Sequence, residues 1–146
     1  MTRTAPASAA ALAPSRWIIE HEIAAQGGPG AVVRGIEAAF RRLSELVPSL
    51  IGWLGFQAVA ARALHLSALE APWLASLEIA VDPTSGIRGL DAVLDREGAQ
   101  ELTTGAILLF ATVIQLLCAF IGEELAFRLI RRAWADLPER SAEEAS

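Results

Sequence analysis

The side chains best suited to chemistry are few: His21 and His65, the single cysteine Cys118, and seventeen acidic residues. Glu20-His21-Glu22 has the composition of a metal site. Neighbouring positions on a helix point in different directions, however, so the three cannot converge on one ion. Helical di-metal carboxylate centres use Glu-x-x-His pairs, and the chain contains none. His21 therefore reads as a surface histidine. His65, on an Ala/Leu-rich stretch, reads as a boundary or core residue. Gly27-Gly28-Pro29-Gly30 precedes a helical pattern, as an anion-binding loop does. Pro29 removes a donor and no lysine follows, so this loop reads as a linker between helices.

Several chemistries are excluded outright. All twelve basic residues are arginine, and the chain has no Lys, Asn or Tyr. Those missing residues use A/T-rich codons, as expected of a bacterial chain from a G/C-rich genome. Without lysine there is no P-loop, no pyridoxal Schiff base and no Ser-Lys dyad. Without asparagine there is no kinase catalytic loop and no N-glycan. One cysteine excludes an internal disulfide framework and a thiolate-rich zinc site. A net charge of −5 and a pI near 5.0 argue against nucleic-acid binding. No catalytic residue, cofactor or metal is expected.

The elements that must position these residues are mostly helical. Residues 1–14 are expected as a disordered lead-in, 15–137 as one domain and 138–146 as a disordered acidic tail. Helices are expected over 15–26, 31–47 and 50–70. In the second, Val32, Val33, Ile36, Phe40, Leu43, Leu46 and Val47 recur at helical spacing, and Glu37 stands four residues before Arg41. Pro48 closes it. Gly52 and Gly55 weaken the start of the third helix, which begins at 50 or nearer Trp53. Leu77, Ile79 and Val81 alternate with polar or small residues before the turn Asp82-Pro83-Thr84-Ser85-Gly86. A short β-hairpin over 77–90 is one reading of this segment, and it would have to lie against the helices. The fold class expected is all-α, a four- to five-helix bundle with a possible hairpin insertion.

Residues 102–122 (LTTGAILLFATVIQLLCAFIG) hold twenty-one positions without a charge. That is the length of a membrane span, and Arg128, Arg131 and Arg132 would then place the C-terminus in the cytoplasm. The alternative is the apolar core helix of a soluble bundle. Favouring the core, Thr103, Thr104, Thr112, Gln115 and Cys118 dilute the run, and helical apolar spacing continues through Phe127, Ile130 and Trp134. A single helix over 98–135 would be about 57 Å long at 1.5 Å per residue, against a domain diameter of about 38 Å. Either Gly122 bends it, or its end protrudes and a second copy covers it.

Glu123 falls within that apolar stripe. It either pairs internally with Arg62 or reaches water at the boundary. Trp53, Trp73 and Trp134 are either partner anchors or core residues. FIGEELAFRLIRRAWADLP at 120–138, with Gly55-Phe56, Arg62-Ala63-Leu64 and Pro72-Trp73-Leu74, resembles a pattern in small helical bacterial proteins of no established activity. The resemblance covers roughly 52–138; it implies a helical fold and assigns no catalytic residue. Together these readings point to a non-enzymatic cytoplasmic interaction or adaptor protein that binds a protein partner or itself as a homodimer. The candidate surface is Trp73, Glu123, Phe127, Arg128, Arg131 and Trp134. The alternatives are an inner-membrane or membrane-associated protein using 102–122, and an apolar-ligand binder with a pocket between helices.

Overall fold

The computed structural model describes residues 9–79 and 86–138. Among the described residues six α-helices carry the fold: α1 (Ala9–Ala24), α2 (Ala31–Leu46), α3 (Pro48–Ala68), α4 (Leu90–Glu97), α5 (Ala99–Ile121) and α6 (Glu123–Ala133). A short 3-10 helix (Pro72–Ser76) follows α3, then β1 (Glu78–Ile79) and β2 (Ile87–Arg88). The two strands pair antiparallel, Glu78 opposite Arg88 and Ile79 opposite Ile87. The protein is thus all-α with a small hairpin. Residues 82–85 of the expected turn lie outside the described residues.

The helix count exceeds the four or five expected for two reasons. Leu90, Val93 and Leu94 have the spacing of a helical apolar face, and α4 forms on them with Leu90 and Val93 buried. Gly122 (φ 96, ψ 145) then separates α5 from α6, so the long apolar stripe is bent and folds back on the domain. At the other end, α1 begins at Ala9 and not at 15, so 9–14 belong to a helix and not to a lead-in. Ala11 and Ser15 are buried there.

Helix α2 is amphipathic as its sequence requires. Val33, Ile36, Ala39, Phe40 and Leu43 are buried, while Arg34, Arg41, Arg42 and Glu45 are exposed. Arg34 donates to the carbonyls of Pro29 (2.8 Å) and Gly27 (2.7 Å). The glycine-rich loop therefore turns carbonyls toward a guanidinium, the opposite polarity to an anion cradle. Pro48 does not simply stop the chain. It occupies the first turn of α3, where its missing N–H costs no hydrogen bond, and the chain turns by 115° between α2 and α3. Gly52 (φ 85, ψ 162) breaks that first turn, leaving the regular part of α3 to begin at Trp53.

The core is built around α5, which packs against α1, α2, α3, α4 and α6. Its buried side chains include Leu102, Leu109, Phe110, Val113, Ile114 and Leu117. Phe110 stands edge-on to Phe40 (centroids 5.3 Å apart) and to Trp134 (5.7 Å). Across the α3–α5 contact, the Ser67 hydroxyl donates to Thr112 Oγ1 at 3.2 Å, and Thr112 donates to the Leu108 carbonyl at 2.8 Å. This places Thr112, a polar residue of the uncharged run, inside the fold with partners on both sides of its hydroxyl.

Glu37 on α2 has its pKa raised, first by burial and then by Asp91 on α4, with Arg41 and Arg34 opposing. A carboxyl whose folded pKa is raised favours the folded state below its ordinary range, and that contribution is lost as pH rises through the folded value. Glu37→Gln is therefore expected to melt slightly higher than wild type at neutral pH. The two curves should converge below about pH 4, which thermal melts across pH would show.

Candidate docking face

Helix α3 has no charged side that could face water comfortably. Leu54, Ala58, Ala61, Arg62, His65 and Leu69 fall within a sector about 100° wide at helical spacing, and all are exposed. Leu54 is 80% exposed and Leu69 71%. One flank of this stripe meets the end of α5, where Gly55, Ala58, Val59 and Arg62 face Leu116, Ala119 and Phe120 across an open groove of about 310 Å³. Phe120 is 63% exposed at its edge. The groove exists because Gly55 and Ala58 are small and because Gly122 ends α5 directly after Phe120 and Ile121. Arg62 is the one formally charged residue between 47 and 69, and 102–122 contains none.

The residues singled out in the sequence occupy different surroundings. Trp134 is buried, and its Nε1 donates to Glu22 at 2.7 Å. Glu22 is only 6% exposed, and Arg42 approaches it at 3.4 Å. Arg42 also donates to the Ala133 carbonyl (2.9 Å) and lies over the Trp134 ring at 5.9 Å. Phe127 is buried as well. These two aromatics hold α6 and the chain after it against α1, α2 and α5, and so are not anchors for a partner. Arg128 is exposed and reaches Glu124 at 3.3 Å, one turn away. Arg131 lines a cleft of about 200 Å³ with Ala13, Pro14, Trp17, Phe127, Leu137 and Pro138.

The Arg62–Glu123 pair is not formed. The bend at Gly122 sets Glu123, exposed at the start of α6, beside Ala10, Ala11, Gln115, Cys118 and Phe127, whereas Arg62 lies along the α3–α5 groove. His21 is exposed and stacks on Trp17 with centroids 4.5 Å apart. His65 is exposed on the α3 stripe, neither boundary nor core. Trp53 is half-buried beside Phe56. Among the described residues, no three His, Cys, Asp or Glu side chains gather as metal ligands would.

Trp73 also serves the fold. Its ring lies where a Cβ on Gly105 would sit, and its Nε1 donates to Glu101 at 3.2 Å. Gly105→Ala is expected to swing the ring outward, since the obstacle is the far end of a side chain. The cost should be about 1 kcal/mol or less, because helix propensity gained by alanine offsets much of the lost packing. Red-shifted tryptophan emission in a background lacking Trp17 and Trp53, where the buried Trp134 is the one other indole, would report the movement.

Sequence reasoning missed Leu54, Leu69 and Phe120, because an apolar residue in an Ala/Leu-rich helix is read as core by default. The signal was the absence of any charged face on α3. Ala99–Ile121 is long and apolar enough to cross a bilayer, and 56% of its most apolar window is buried against the other helices. No protein-family model, curated protein or solved structure matches the chain.

Proposed function

We propose that this protein acts by binding and not by catalysis, and that the α3–α5 face is where it binds. What carries this reading is the outward stripe of α3. A helix facing only water places charges there, as α2 does with Arg34, Arg41, Arg42 and Glu45. Helix α3 instead presents Leu54, Ala58, Ala61, His65 and Leu69 with Arg62 as its single charge, and Phe120 of α5 alongside. Contiguous exposed apolar surface of this kind marks an interaction site in a folded domain. The function is therefore an interaction one, with the surface on α3 and α5 in place of the C-terminal helix.

The reading is tested with the full chain and the double variant Leu54→Glu, Phe120→Glu. Both positions are exposed, so the variant should keep its helical spectrum and its melting temperature. The wild type is expected to associate with copies of itself, with detergent micelles or with a membrane fraction, and the variant to lose that association. Identical monomeric light scattering and identical partitioning of the two proteins would refute it.

A further inference from the structure

We propose that the α3–α5 face docks on the surface of an anionic lipid bilayer. Leu54, Leu69 and Phe120 enter the acyl boundary, and Arg62 lies among the headgroups. The inference rests on the docking reading above and names its partner.

Charge is the first reason. The chain carries a net charge of −5, yet the one formal charge on this face is a cation. The nearby carboxylates lie beyond its ends: Glu70 follows Leu69, Glu101 accepts the Trp73 indole, and Glu124 pairs with Arg128. Glu123 lies on the α1 side of α5. An arginine stem can cover apolar surface while its guanidinium reaches phosphate, which suits an apolar face pressed into a headgroup layer. Two copies joined antiparallel through the same stripe, centred between Ala61 and Arg62, would bring two Arg62 side chains toward one axis. The face offers no carboxylate between them.

Size is the second reason. Leu54 to Leu69 spans roughly 22 Å, and two adjacent helices present a width of roughly 20 Å, giving a face of roughly 450 Å². A stable protein–protein interface takes about 800 Å² from each partner. A bilayer surface sets no such minimum, because binding grows with each apolar side chain that enters it. The exposures of Leu54, Leu69 and Phe120 make those three side chains available.

The test is sedimentation of the full chain with vesicles of phosphatidylcholine mixed with phosphatidylglycerol, and with vesicles of phosphatidylcholine alone. The wild type is expected to bind the mixed vesicles, and to bind the neutral ones several-fold more weakly. Leu54→Glu, Phe120→Glu should lower binding to both by about tenfold or more. Arg62→Ala should lower binding to the mixed vesicles about fivefold and leave neutral binding unchanged. Arg16→Ala, an equal change in net charge on α1, should leave both unchanged.

Failure to bind the mixed vesicles overturns the proposal. If the protein is then a dimer that Leu54→Glu dissociates, the face docks a second copy, and only the lipid assignment falls. If it is a monomer that binds nothing through this face, the docking reading falls with it. Indifference to Arg62→Ala overturns the anionic assignment. Resistance to an alkaline carbonate wash means a spanning helix and overturns surface docking.

Discussion

Replacing Gly35 with alanine is expected to lower stability by about 2 kcal/mol, although helix propensity alone would raise it by about 1 kcal/mol. Gly35 sits where α2 crosses α1. A Cβ there would meet the backbone of Ile23, at 2.6 Å from its nitrogen and closer still to its Cα. Backbone atoms cannot rotate aside as the end of a ring can, so the two helices must part. Separation would spread to the Glu22–Trp134 contact, because Glu22 is the residue before Ile23. The unfolding midpoint in denaturant measures the loss, and an unchanged or raised midpoint would show that the crossing is looser than described. Gly105→Ala, whose obstacle is the movable Trp73 ring, should cost distinctly less.

Trp134→Ala is expected to cost about 4 kcal/mol, in the range for deleting a buried aromatic. The indole packs edge-on to Phe110, lies under the Arg42 guanidinium and donates to the buried Glu22 carboxylate. Removing it opens a cavity and takes a donor from a carboxylate that is almost wholly buried. Trp134→Phe separates the two contributions. It keeps most of the ring packing and should cost about 1–3 kcal/mol through the missing donor. Equal stability of Trp134→Phe and wild type would mean that water or Arg42 satisfies Glu22 without the indole. A double-mutant cycle with Arg42→Ala would then apportion the interaction.

How much of this was legible depended on periodicity. Helix α2 was readable residue by residue, because Val33, Ile36, Phe40 and Leu43 alternate with charged neighbours on a helical period. The bend at Gly122 was open in the sequence as one of two outcomes, since the chain length set against the domain diameter demanded a bend or a protrusion. Helix α4 was missed although Leu90, Val93 and Leu94 carry its pattern; eight residues are too few for a confident period beside a strong turn signal. The buried Glu22 could not be found from its neighbours, because its partners Trp134 and Arg42 are brought to it only by tertiary packing. The site was the least legible part. In helices rich in Ala and Leu on every side, sequence does not say which side the fold leaves uncovered. Burial picked out Leu54, Leu69 and Phe120, while the residues first favoured, Phe127 and Trp134, were drawn into the interior.

The cleft shared by Pro14, Trp17, Leu137 and Pro138 brings the beginning and the end of the folded body side by side. A short glycine–serine bridge could therefore splice 138 to 9, with a new opening at the exposed Gly27–Gly30 loop. Such a permuted chain would reverse the order in which α1 and α6 leave the ribosome while preserving their contacts. The splice would lie at the α1–α6 cleft and the new ends at the Gly27–Gly30 loop; neither includes a residue of the α3–α5 groove, so a fluorophore or surface anchor attached at either would leave the greasy side free.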